Sequence, residues 1–220
     1  MNTANYKAIA AVASGVKGFL AEDEGLKLYE LGLEACAIGP CLEIGSFCGK
    51  SAVFLGGACK NSSSTLFTID HHRGSEEQQP GQLYFDPGIF DSRKGVIDSF
   101  PLLQETLKKA GIEDNVVPMV TQSGVVARNW ATPLGLVFID GGHSYETAFT
   151  DYRNWSPHLL PGGFLVFHDI YPDPSKGGQA PYEVYKLALK SGNYSELPMV
   201  NSLGILRKRN AVVIEKKVCS

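Results

Sequence analysis

No two of the five cysteines (Cys36, Cys41, Cys48, Cys59 and Cys219) are spaced as Cys-x-x-Cys, and their number is odd. This argues against a zinc ribbon and a closed disulfide framework, and most of them read as small buried hydrophobes. An excess of one charge is also missing. Lysine and arginine number 20 against 23 acids, a formal net charge of -3, so no broad basic field favours nucleic acid or an anionic membrane as partner. A small molecule becomes the default ligand. The longest apolar run near the N-terminus, Ala8 to Ala13, is far short of the roughly 20 residues that span a bilayer. It also lacks the basic flank and cleavage pattern of a secretory signal, so a cytoplasmic location is expected. Finally, the Gly-x-Gly-x-x-Gly fingerprint that brings a pyrophosphate onto a helix N-terminus is absent.

The 220 residues, 44% hydrophobic and 20% charged, fit one globular domain with a sizeable core. Helical spacing over 4–20 and 24–36 predicts two leading helices, within an N-terminal segment 1–38. Short apolar runs at 41–44, 65–70, 116–120, 134–139 and 163–168 then alternate with helical patterns at 50–59, 93–110, 123–130 and 144–157. That alternation predicts a Rossmann-like, doubly wound α/β core over 41–209: a seven-stranded, mostly parallel sheet with helices on both faces. A helix near 180–191 is followed by apolar runs at 194–200 and 203–209 joined by Asn201-Ser202, which can pair only as a hairpin. The last strand is therefore expected antiparallel. Residues 71–91, with Pro80, Pro87 and three glycines but no clear period, are too long for a plain connection. Tyr84, Phe85 and Phe90 make this segment a candidate lid. The tail 210–220 is expected as an extra strand, a dimer arm or a frayed end, which leaves a homo-oligomer open.

Cys41-Leu-Glu-Ile-Gly-Ser-Phe-Cys-Gly-Lys-Ser51 is a buried-strand pattern that runs into a glycine-spaced turn and a helix start. Gly45 and Gly49 permit a tight turn close to a ligand, and Ser46, Ser51 and the free N–H groups of the next helix surround the same spot. Bulky Phe47 suits a ligand without phosphate, and Glu43 can accept hydrogen bonds from an ammonium. In open α/β sheets ligands lie beyond the carboxyl ends of the strands. Here those ends are Glu43, Asp70, Gln122, Asp140 and Asp169, four acids at five ends. Asp70 is placed to grip ribose hydroxyls, with His71 and His72 flanking the base or lining the lid. Asp140 and Asp169 close strands expected to be neighbours, and two adjacent carboxylates repel unless a proton or cation lies between them. Their hard oxygens suit Mg²⁺ or Mn²⁺, and His168 opens the set to softer ions such as Zn²⁺. His143, on the Gly141-Gly142 turn, is the candidate general base. Asx-turn and cap roles for these acids remain the structural alternative.

Taken in order, Glu43-x-Gly-x-x-x-Gly-x-Ser51, Asp70, Phe138-Ile-Asp-Gly-Gly-His143 and Pro161-Gly-Gly-Phe-Leu-Val-Phe-His-Asp169 resemble the class I S-adenosylmethionine-dependent methyltransferases. Within these the chain looks most like the group containing macrocin-type sugar O-methyltransferases, over roughly 35–209. The resemblance implies that the 45–49 turn cradles the methionine part of S-adenosyl-L-methionine, Asp70 its ribose, and Gln122 with Ser123 the adenine edge. It also implies a divalent metal on Asp140, His168 and Asp169, with Asp140 and His143 catalytic and a small hydroxylated metabolite as acceptor. His168 stands where that group has glutamate. Other readings stand beside it: metal-free N-methylation, an NAD-dependent oxidoreductase, and a non-catalytic cofactor-binding protein on the same scaffold.

Overall fold

The computed structural model describes residues 3–210, so the tail beyond Asn210, with Cys219, lies outside the described residues. In chain order the elements are α1 (Thr3–Ser14), α2 (Glu22–Ala35), β1 (Cys41–Ile44), α3 (Lys50–Asn61), β2 (Leu66–Asp70), β3 (Phe90–Asp91) and β4 (Val96–Ile97). There follow α4 (Phe100–Ala110), β5 (Val116–Val120), α5 (Ser123–Ala127), β6 (Leu134–Ile139), α6 (Tyr145–Trp155), β7 (Leu159–Phe167), α7 (Ala180–Lys190), β8 (Tyr194–Val200) and β9 (Leu203–Lys208).

Seven strands form one sheet in the order β5-β2-β1-β6-β7-β9-β8. Pairing is parallel from β5 to β7, while β9 is antiparallel to both β7 and β8. The expected architecture and terminal hairpin are therefore both present. Every residue of β1 and β6 is buried, because helices cover both faces of a parallel sheet and leave no side for polar residues. On one face Leu28, Phe54, Leu55 and Leu103 carry α2, α3 and α4; on the other Trp155, Val184 and Tyr185 carry α6 and α7. Strand order reverses at β1, which has β2 on one side and β6 on the other. In open α/β sheets such a switch point is where ligands bind, beyond the carboxyl ends of β1 and β6.

Several boundaries differ from the periodicity. The first helix stops at Ser14, before Gly15 and Gly18, and Gly18 has a φ of 149° that no other residue adopts cheaply. The helix expected from 93 begins at Phe100, because Val96 and Ile97 pair with Asp91 and Phe90 as a small hairpin. Asp91 shapes its turn by accepting from the Arg93 and Lys94 N–H groups, and Gly95 turns the chain at φ 69°. α5 is short, ending at Ala127, and β7 begins at Leu159, earlier than expected. The 71–91 segment is folded over the glycine turn: its Ile89 and Phe85 pack with Cys48 and Phe47. Its outer part meets α1's end through a Lys17–Asp86 ion pair and an edge-on Phe19–Tyr84 contact at 5.5 Å. No helix among the described residues is long and apolar enough to cross a membrane.

Candidate active site

The turn after β1 is fixed by backbone on both sides. Gly45 N–H donates to Ile69 O at 2.9 Å, and Asp140 N–H donates to Ile44 O at 2.9 Å. Gly45 has φ 91°, and a Cβ there would lie 2.0 Å from Asp140 O, so only glycine lets the ends of β1 and β6 come this close. Gly45→Ala is accordingly expected to cost about 3 kcal/mol, left-handed strain plus a clash with immovable backbone. A lowered urea midpoint at unchanged slope is the readout. Gly49, also at φ 91°, caps α3 without any side-chain hydrogen bond, leaving the helix's first-turn N–H groups open. Phe47 is left-handed at φ 45°, and its N–H donates to Asp70 Oδ2 at 2.8 Å. Asp70 Oδ1 accepts from His72 N–H at 2.7 Å. Asp70 thus also braces the turn and the start of the 71–91 segment.

Beneath the turn lies Glu43, fully buried, with neither carboxylate oxygen hydrogen-bonded among the described residues. Burial pushes its carboxyl up to about 8; the Ser51 hydroxyl pulls the other way, while Asp140 and Asp70 push further up. Ser46 Oγ, 2% exposed, is likewise without a partner, and Ser51 is buried beside it at the head of α3. Unpartnered buried polar groups are costly, and two of those among the described residues lie beneath the uncapped start of α3.

At the ends of β6 and β7 the expected acids do converge, with histidines between them. His168 Nδ1 is 3.1 Å from Asp140 Oδ1, and its Nε2 is 3.2 Å from Glu24 Oε2. Burial alone would lower the imidazole, but Asp140 and Glu24 outweigh it and raise it to about 11. Glu24 is itself buried and accepts from Ser202 N–H at 2.9 Å, Ser202 Oγ at 2.8 Å and Ala21 N–H at 2.9 Å. Asp140 is raised, chiefly by burial, with His168 opposing. His143, on the rim with its side chain 43% exposed, places Nε2 3.0 Å from Asp169 Oδ2 and Nδ1 3.2 Å from Glu77 Oε2 of the 71–91 segment. The Asp169 hydrogen bond raises it to about 9 against burial. Asp169, left-handed at φ 57°, is held low by His143 despite burial, and also accepts from Tyr171 at 3.1 Å. Asp140, His168 and Asp169 each offer a ligand atom within 4.8 Å of one another, the grouping expected of a metal set.

Of the remaining expected residues, Gln122 is the exposed N-cap of α5 and Ser123 its half-buried first residue, beyond β5. His71 is exposed and accepts from Arg73 N–H at 3.0 Å. His72, expected beside the base or the lid, is 2% exposed and turned inward, its Nδ1 2.8 Å from Ser99 Oγ and its ring against Phe100. Sequence reasoning missed Glu24, Glu77 and Asp151. Asp151 is buried on α6, accepts from Ser123 Oγ, and is pushed up to about 6 by burial. An acid on the inward face of an amphipathic helix was the available signal for Asp151; Glu24 and Glu77 gave none, since their partners lie 144 and 66 residues away.

The fold and this crevice define a methyltransferase. Residues 42–170 match the family model described as a methyltransferase domain, and the chain belongs to that family. Among solved structures it is similar to the O-methyltransferase NovP, with a TM-score of 0.69 at 12% identity over 94% of this chain and 97% of that one. It is also similar to an O-methyltransferase from Bacillus cereus in complex with SAH (TM-score 0.63, 12% identity, 96% and 92% covered). A third similar structure is the O-methyltransferase TomG from Streptomyces achromogenes, involved in tomaymycin synthesis, in complex with SAM (TM-score 0.61, 17% identity, 96% and 91% covered). At these identities the likeness establishes the shared fold.

Proposed function

We propose that this methyltransferase takes its methyl group from S-adenosylmethionine and delivers it to a hydroxyl of a small hydroxylated metabolite. The observation that carries this reading is Glu43: a fully buried, unpartnered carboxyl beneath the glycine turn at the sheet's switch point. A ligand ammonium would restore its charge and its hydrogen bonds at once. Ser46 and the first N–H groups of α3 would take the donor's carboxylate end, Asp70 the ribose, and Gln122 with Ser123 the adenine edge. The similar O-methyltransferases in complex with SAH and SAM support the same donor, and their activity supports a hydroxyl acceptor. The ordered motifs support a macrocin-type grouping.

Bound there, the donor supplies an already electrophilic methyl, so the protein's work is alignment and removal of the acceptor's proton. Asp169 fixes the ring by accepting from Nε2–H, so His143 Nδ1, the nitrogen facing Glu77, takes that proton. The residues present do not fit a resident divalent cation: both ring nitrogens of His168 are engaged and the ring is cationic, so it neutralises Asp140 and cannot ligate. Repulsion between the strand-end acids is relieved by imidazolium charge. Turnover in a chelator is expected to equal turnover with added Mg²⁺; loss of activity on chelation would restore the metal reading.

His143 serves as base only when neutral. With its proton held up to about 9, kcat at saturating donor is expected to rise about tenfold per pH unit between 6 and 8 and to level off above 9. Glu77 is one of the groups raising that value, so Glu77→Gln should move the break to lower pH and increase turnover at pH 7 several-fold. A flat profile, or a break indifferent to Glu77→Gln, removes His143 from the role.

A further inference from the structure

Three cysteines that sequence spacing keeps apart meet at the opposite end of the sheet from the crevice. Cys36 caps the C-terminus of α2, Cys41 is the first residue of β1, and Cys59 lies in the last turn of α3. Cys36 Sγ is 3.9 Å from Cys41 Sγ and 3.6 Å from Cys59 Sγ, and all three sulfurs lie within 4.8 Å of one another. None is in a disulfide. Cys41 and Cys59 are fully buried, while Cys36 is only partly covered and opens the cluster to solvent.

The dimensions are close to those a metal ion would require. A thiolate-bound ion of the zinc type sits about 2.3 Å from each sulfur, which places three sulfurs roughly 3.8–4.0 Å apart at the corners of a triangle or of a tetrahedral face. The Cys36–Cys41 edge falls within that spacing and the Cys36–Cys59 edge just below it, a gap that small side-chain shifts close. A disulfide would draw two sulfurs to about 2 Å and strand the third. The grouping holds no carboxylate and no imidazole, so hard ions such as Mg²⁺ have nothing to prefer here, whereas soft thiophilic d¹⁰ cations do. Ordinary packing of small hydrophobes accounts for the burial of Cys41 and Cys59, but not for the convergence of three sulfurs from three elements, with one at the surface.

We infer that Cys36, Cys41 and Cys59 form a three-thiolate site for a soft d¹⁰ metal cation, separate from the methyl-transfer crevice. As the ion enters, three S–H protons leave to solvent and three sulfur–metal bonds form; no electron is transferred. The site pins the C-terminus of α2 and α3 to the start of β1, so its occupancy stiffens the sheet's entry side.

The test is a Cd²⁺ titration of the reduced full-length protein carrying Cys219→Ser, followed by thiolate-to-cadmium charge-transfer absorbance. One ion per chain is expected, unaffected by excess Mg²⁺, with affinity at least tenfold weaker in Cys36→Ser, the variant at the accessible corner. Pulsed alkylation in moderate urea, read by peptide mass spectrometry, does not depend on any variant folding. Cd²⁺ should protect Cys36, Cys41 and Cys59 and leave Cys48 unprotected. Absence of the band, saturation indifferent to Cys36→Ser, or protection confined to Cys48 would overturn the site. Neither result bears on methyl-donor binding.

Discussion

Replacing His168 with leucine is expected to destabilise the fold by about 3–5 kcal/mol, the cost of stripping a buried charge of its partner. The ring is 5% exposed and spans Asp140 at the end of β6 and Glu24 on α2, and Glu24 in turn holds Ser202 in the β8–β9 turn. Leucine fills similar space but leaves the buried carboxylate of Glu24 and the partly buried one of Asp140 without their cationic partner. The imidazole's folded value, raised to about 11, stands above an ordinary 6.5. Its contribution is therefore complete below 6.5, declines progressively above that and is gone once pH has passed 11, so most of the tie is present at pH 7. Urea unfolding at pH 7 measures the loss. A change under about 1 kcal/mol, typical of surface substitutions, would mean that the buried pairing is not formed.

Glu43→Gln is expected to move stability and ligand affinity in opposite directions. Glu43 titrates at about 8 in the folded protein against an ordinary 4.5, so the fold must hold a proton there that the unfolded chain releases. Stability from this group is full below 4.5 and lost as pH rises through 8, which amounts to about 3 kcal/mol at pH 7. The amide carries no such penalty, and the variant should unfold at higher urea concentration than the natural protein at pH 7, with the gap closing towards pH 4.5. It also loses the charge that an ammonium needs, so donor affinity should fall about 10- to 100-fold. A variant both less stable and equally tight would contradict the role of Glu43.

Much of the crevice was legible in the sequence because its parts are local. Glu43, Gly45 and Gly49 sit within seven residues, and strand-end acids follow from where apolar runs stop. A parallel sheet then brings Asp140 and Asp169 together without further information. What escaped depends on contacts between segments far apart in the chain. Glu24 carries no local signal, because His168 beyond β7 and Ser202 in the β8–β9 turn reach it only in the folded chain. Glu77 looked like one more polar residue of a loop, yet it reaches His143. The pair Val96-Ile97 carries helix-like spacing but is captured by Phe90-Asp91 as a hairpin, a tertiary preference that two residues of pattern cannot reveal. The cysteines show the same limit: spacing rules see neighbours in sequence, whereas Cys36, Cys41 and Cys59 become neighbours only after α3 folds back onto β1.

Titration calorimetry with S-adenosylhomocysteine at pH 7, run in two buffers of different ionisation enthalpy, addresses the donor site most directly. The nucleoside's ammonium should drive ionisation of Glu43, so binding one ligand per chain is expected to release about one proton. In Glu43→Gln that release should vanish and the affinity drop. No heat of binding in the natural protein, or the same proton count in the variant, would contradict the account.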